Sequence, residues 1–262
     1  MTSVSNVSIG AKLAGAAASD ARHGMNEAIA RLSTGKRSMY GGDAAGQAMA
    51  NSIKAKGMSY AVAARNAEDG ISVAQTIEST LMEIGQLAQR LREIAIQADN
   101  AAVQSTSDIA ALNAETAEIT KAIALIVQKT LFNGKTLIST ADTNIAFGVT
   151  DGGDTVTLSS QLIVDKSATT TAAGAETDAD AILDDVGEAL GNTAAAMTVL
   201  KARQNVAYSA SANMLAAASR LEDTDFATSS ANLAKFSILN QSAMAMVAQA
   251  NQAQSAILAV IQ

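Results

Sequence analysis

FSILNQSAMAMVAQANQAQSAILAVIQ, residues 236–262, contains no ionisable side chain. Its apolar residues recur at alternating steps of three and four: Phe236, Leu239, Ala243, Met246, Ala250, Ala253, Ile257 and Val260. That spacing predicts a coiled-coil strand. The positions off the seam are amides and hydroxyls, among them Asn240, Gln241, Ser242, Gln249, Asn251, Gln252 and Gln254, where a solvated helix presents lysine and glutamate. Such a helix is suited to being surrounded by other protein. The N-terminus repeats the design in Val4, Val7, Ala11, Ala14, Ala18, Ala21, Met25, Ala28 and Leu32, with Lys12 the only charge before Asp20. Two matching, nearly uncharged strands at the two ends predict that the ends are buried together.

The composition agrees with long helices packed side by side. The 262 residues include no proline, cysteine or tryptophan, four phenylalanines and three tyrosines, so a large aromatic core is excluded. Alanine favours helix and lets helices approach closely. The net charge of −7, with 18 scattered Lys and Arg, argues against nucleic acid, because phosphate contacts need clustered cations. Lack of cysteine removes disulfides, thiolate metal sites and thiol catalysis together. Ser, Gln or Asn interrupts every apolar run before the roughly 18 residues of a membrane span, and the first thirty residues lack the pattern of a secretory signal peptide.

Along the chain, a loop dense in Gly, Lys, Arg and Ser covers 35–42, and helical patterning resumes at about Ala44. The clearest period follows in Ala74, Ile77, Leu81, Ile84, Ala88, Leu91, Ala95 and Ala98. After a break near Asp99–Ser107, a second helix is expected with Leu112, Glu115, Ile119, Ala122 and Ile126 on one face, stopped by Asn133-Gly134 as a left-handed C-terminal cap. From Lys135 the period changes to alternation. Ile145, Phe147 and Val149, the turn Thr150–Asp154, then Val156 and Leu158 predict a β-hairpin. Residues 167–178 read as an exposed loop, the whole stretch from Ser139 to Asp178 as solvent-facing, and helix returns at about Asp180 and runs to near Arg220.

No catalytic constellation can be assembled. Gly41-Gly42-Asp43-Ala44-Ala45-Gly46-Gln47 has the glycines of a phosphate loop, but Gln47-Ala48 stands where Lys-Ser/Thr is needed, so it reads as the start of a helix. His23 has no nearby nucleophile, Asp151 and Asp154 flank a turn, and Asp178, Asp180, Asp184 and Asp185 suit a helix start. Neither a cofactor nor a metal is expected, and the chain does not read as an enzyme. What remains specific is self-association.

Several blocks carry a family resemblance. Glu27-Ala28-Ile29-Ala30-Arg31-Leu32-Ser33-Thr34-Gly35-Lys36-Arg37, followed by Asp43-Ala44-Ala45-Gly46-Gln47-Ala48, resembles the N-terminal signature of bacterial flagellins. Arg65–Ser72, Gln89–Gln97, Thr130–Gly134, Ser219–Thr228 and Ala248–Gln252 are similar to further blocks of that family, in order. The resemblance implies a mainly α fold of long coiled-coil helices with paired N- and C-terminal helices and a small β-hairpin in the middle. Its implied segments are 1–34 (N-terminal helix of an inner coiled-coil domain), 35–55 (connection), 56–134 (shell-domain N-terminal helices), 135–179 (hairpin and variable loop), 180–220 (shell-domain C-terminal helix), 221–229 (connection) and 230–262 (C-terminal helix of the inner domain).

The function so implied is a subunit of the helical filament used for swimming, extracellular, exported unfolded through the flagellum's own channel without a cleaved signal peptide. Implied partners are other copies of the chain, hook-associated junction and cap proteins, an export chaperone and an innate immune receptor. Arg90, Leu91, Ile94 and Glu115 match the family's receptor epitope and form a candidate receptor or intersubunit patch. Val4, Val7, Ala11, Met25, Leu32, Phe236, Leu239, Ala243, Met246, Ala250, Ile257 and Val260 are the candidate self-assembly seams. The opening Met1–Gly10, Ala253 in place of a proline, and the Ile261-Gln262 finish depart from the family pattern. The alternatives are a hook-filament junction protein and a soluble receptor ligand or adhesin.

Overall fold

The computed structural model describes residues 2–37, 43–100, 102–139, 143–160 and 171–261. The elements in chain order are α1 (Thr2–Thr34), α2 (Ala44–Ala98), α3 (Thr106–Lys129), β1 (Leu131–Phe132), β2 (Lys135–Thr136), β3 (Thr143–Gly148), β4 (Thr155–Ser160), a 3-10 turn (Ala172–Gly174), α4 (Ala175–Glu222) and α5 (Phe226–Ile261). The fold is mainly α, with two small antiparallel hairpins, β1-β2 and β3-β4. Two compact units are present: Met1–Ala55 with Met214–Gln262, and Lys56–Asn213.

The second unit holds the main core. Ala74, Ile77, Leu81, Ile84, Ala88, Leu91, Ala95 and Ala98 of α2 are all buried, so the three-four period read from sequence is the face that packs. Against it lie Ile123 and Val127 of α3, Leu158 of β4, and Ala179, Ile182, Val186 and Ala189 of α4. The buried stripe of α3 is Leu112, Thr116, Thr120, Ile123 and Val127, rotated from the face expected through Glu115 and Ala122. Threonine disguised it. Thr120 donates its hydroxyl to the Thr116 carbonyl at 2.8 Å, the helix-internal bond that lets a threonine enter a core. Ser105 caps α3 in a reciprocal box with Asp108, whose carboxyl lies below the usual carboxylate range because Ser105 donates to it.

Three boundaries differ from the sequence reading. Helix α3 stops at Lys129, and Asn133-Gly134 is not its cap but the turn of the β1-β2 hairpin. Both residues take positive φ, 49° and 77°, which is the requirement of a type I′ turn. Helix α4 begins at Ala175 rather than near Asp180, and the expected exposed loop is partly interior. Ala172 and Ala175 are fully buried, and the Ala172 amide donates to Asn113 Oδ1 at 2.7 Å. Small residues made the segment look like a loop, although small size is what lets it sit close against α3. Leu158 is also fully buried, so the 139–178 stretch is not uniformly solvent-facing; its residues 140–142 and 161–170 lie outside the described set. The β3-β4 hairpin follows the alternation read from sequence, pairing Ile145 with Leu158 and Phe147 with Val156.

In the first unit, α1 packs on α5. Helix α2 runs from Ala44, where helical patterning resumes in the sequence, and residues 223–225 separate α4 from α5. Asp43 starts α2, accepting the Gly46 amide at 2.8 Å and pairing with Arg37 at 2.7 Å. Asp225 starts α5 likewise, accepting from the Ala227 and Thr228 amides and the Thr228 hydroxyl.

Candidate functional site

The inner side of α1 is built from small residues. Ala18, Ala21 and Ala28 are buried, while Ala11, Ala14, Met25 and Leu32 are half-buried. Gly24 lies under the ring of Phe236, so close that a Cβ there would stand 2.6 Å from ring carbons. On α5 the inward positions include Ser229, Phe236, Asn240, Ala243, Val247 and Ala250, of which Ser229 and Ala243 are buried. Leu239 and Met246, placed in the seam by the sequence reading, are instead 46% and 58% exposed. The residues Phe236, Ala243 and Ala250 are common to both patterns, and the intervening step decides between the flanks. An alanine-lined α1 approaches too closely for Leu or Met, and the smaller Asn240 and Val247 take those places. Asn240 Oδ1 is buried there without a hydrogen-bond partner. The side chains of Val4, Val7, Ile257 and Val260 lie outside the described residues.

What α5 leaves uncovered is as informative as what it buries. Ile238, Leu239, Met244 and Met246 are all exposed, and at ~100° per residue they fall on both flanks and the back of the helix. Lys235 is the sole charged side chain from Phe226 onward. A helix that carries apolar side chains on both flanks and the back, with neutral amides and hydroxyls between them and almost no charge, is suited to burial. On α1, Ile9 and Leu13 are likewise exposed, at 58% and 71%. Sequence periodicity found the shared seam and missed Ile238 and Met244, although the absence of charge around the helix was the signal for them.

The second candidate patch divides. Arg90 and Glu115 meet at the surface between α2 and α3: Arg90 donates through Nε and Nη2 to Glu115 Oε1, at 3.0 and 2.7 Å, and through Nη1 to Glu93 at 3.1 Å. The Glu115 hydrogen bond, then that of Glu93, raises the guanidinium pKa further. Leu91 and Ile94 are fully buried in the helical core, so neither belongs to an accessible surface of the folded unit. Among the described residues no group of His, Cys, Asp and Glu could hold a metal ion, and no helix is long and apolar enough to cross a membrane.

A family model described as the bacterial flagellin N-terminal helical region matches residues 8–143, and one described as the bacterial flagellin C-terminal helical region matches residues 176–261. This chain belongs to the bacterial flagellins. The flagellin of Halalkalibacterium halodurans is 35% identical over 249 residues, covering 90% of this chain and 91% of that one. The flagellin of Bacillus subtilis is 30% identical over 275 residues, covering 88% and 90%. The crystal structure of Bacillus cereus flagellin has a TM-score of 0.48 and 25% identity, covering 59% of this chain and 94% of that one. A flagellin is a structural protein that self-polymerises into the extracellular flagellar filament of swimming motility, and the chain is such a subunit. Nothing in these relatives favours a junction protein or a free receptor ligand.

Proposed function

We propose that polymerisation is driven by the terminal pair, α1 and α5, whose uncovered apolar side chains are buried by neighbouring copies. The observation that carries this reading is the exposure of Ile238, Leu239, Met244 and Met246 around a helix with one charge. Fully burying a side chain of this size contributes about 1.5–3 kcal/mol, and these side chains are about half exposed in the single chain, so together their burial contributes several kcal/mol per subunit toward association. Isolated helices gain most of their stability from such packing, and both ends therefore complete their folding on assembly.

Three finer assignments belong to the same proposal. The chain leaves the cell through the flagellar secretion channel, escorted by an export chaperone, and meets hook-associated junction and cap proteins at the filament's ends. Receptor recognition, where it occurs, uses the exposed Arg90-Glu115 pair without Leu91 or Ile94. The protein has a structural and not an enzymatic role. Electron microscopy of purified protein after seeding tests the proposal. Long uniform filaments support it; short, non-propagating complexes indicate a junction protein, and persistent monomers that bind a receptor indicate a ligand.

A further inference from the structure

Among the described residues the first unit contains one buried carboxylate, and it sits where the linker after α1 meets the linker before α5. The Glu222 side chain, 8% exposed at the end of α4, accepts a short hydrogen bond from Lys36 Nζ and faces Lys54 Nζ of α2 at 3.8 Å. Both lysines are nearly half exposed, so the pair has one buried and one wet partner. The backbones are tied at the same point. The Arg37 amide donates to the Glu222 carbonyl at 2.8 Å, and the Thr224 amide donates to the Gly35 carbonyl at 2.9 Å. Lys36 thus faces Asp223 in a single antiparallel bridge between the two linkers. Further along the helices the antiparallel pairing continues, with Phe236 seated on Gly24.

We propose that Glu222 is a positioning residue for assembly: with Lys36 and Lys54 it clasps the two linkers together and fixes the register in which α1 meets α5. Along the seam the α1 side is largely Ala, and one contact there, Phe236 on Gly24, is intolerant of a slide because a Cβ at that place would stand 2.6 Å from the ring. The clasp adds a second fixed point at the linker end of the pair, where a buried charge keeps its partners only in one alignment. The inference rests on the terminal pair's role in polymerisation.

The clasp also gives the filament an acid limit. The Lys36 hydrogen bond holds the Glu222 carboxyl below the usual range; burial opposes this, and the charges of Lys36 and Lys54 with a bond from Gln47 add to it. The other charged groups nearby are Asp223, which accepts from Ser219, and Arg37, which is paired with Asp43. A carboxyl whose pKa is depressed on folding stabilises the folded form above its ordinary value, about 4.3, and that contribution is lost as pH falls through the folded value.

The experiment measures the critical concentration for seeded growth against pH for wild type, Glu222→Gln, Lys36→Gln and the double variant, with Asp225→Asn as a control for the other depressed carboxyl of this unit. Hydrogen exchange at the Arg37 and Thr224 amides is read in the same filaments. Glu222→Gln is expected to raise the critical concentration about tenfold at neutral pH, or about 1.4 kcal/mol, to flatten the rise below pH 4.3, and to deprotect both amides. The double variant should cost less than the two single effects combined. Wild-type values for Glu222→Gln, or strictly additive effects of the two substitutions, would overturn the clasp. Failure of wild-type protein to polymerise would instead overturn the function on which it rests. Should Glu222→Gln fail to fold, Lys36→Gln alone decides, since its half-exposed side chain is not part of the core.

Discussion

Leu91→Ala is the substitution that best separates a surface reading of α2 from an interior one. Leu91 is fully buried, in the same core as Leu81, Ile84, Ala88 and Ala95, together with Leu158 and Ile182 of α4. Truncation removes three carbons and leaves a cavity that long helices close poorly, and such changes cost about 2–5 kcal/mol. Taking ~3 kcal/mol, and a shift of roughly 2–4 °C per kcal/mol for a unit of this size, the melting midpoint of the second unit should fall by about 6–12 °C. The matched control is Arg90→Ala, next in sequence yet exposed and engaged only in surface ion pairs, which should leave the midpoint near wild type. Thermal unfolding of monomer below its critical concentration, followed by circular dichroism, reads both. A midpoint for Leu91→Ala within about 2 °C of wild type, or a larger fall for Arg90→Ala, would refute the placement of Leu91 in the core.

Asn113→Ala leaves the Ala172 amide buried without its acceptor and should destabilise the second unit by about 1–3 kcal/mol, measured by urea unfolding. A short tag inserted between Thr171 and Gly174 should likewise impair folding, whereas the same tag in the exposed turn 151–153 should not; antibody access and melting check the pair. Because the Asp108 carboxyl is depressed by Ser105, its contribution is present above its ordinary value near 4 and lost as pH falls through the folded value, and Ser105→Ala should flatten that acid loss in a pH series of melting midpoints. Helix content should rise when wild-type monomer is seeded into filaments, and circular dichroism before and after seeding measures it.

Much of the helical design is legible in the sequence because apolar side chains mark it. The α2 face from Ala74 to Ala98 and the alternation of Ile145 and Phe147 are read directly, since each residue's size and spacing report its burial. Reading failed where burial falls on residues that do not look interior. Thr116 and Thr120 bury hydroxyl groups, and Ala172 and Ala175 belong to a stretch of small residues that periodicity takes for a loop. The Asn133-Gly134 pair is compatible with a helix cap and with a hairpin turn, and only the return of Lys135-Thr136 onto Leu131-Phe132 chooses between them. On α5 the ambiguity is of another kind. A helix almost without charge, with apolar side chains on several sides, has no unique seam, so Leu239 and Asn240 compete for one place and the small residues of α1 decide. The Glu222 clasp was invisible, because its partners at positions 36 and 54 are brought to it by the topology alone.

The central claim is that the uncovered apolar surface of the terminal pair drives polymerisation, and seeded growth of Met246→Lys tests it most directly. Met246 is 58% exposed beside Leu239, so lysine disturbs nothing within the single chain, but in an assembled interface an unpaired ammonium costs several kcal/mol. Light scattering and electron microscopy should show long filaments from wild type and none from Met246→Lys at the same concentration, with the melting of the second unit unchanged. Filaments from Met246→Lys that grow at the wild-type rate would contradict the account.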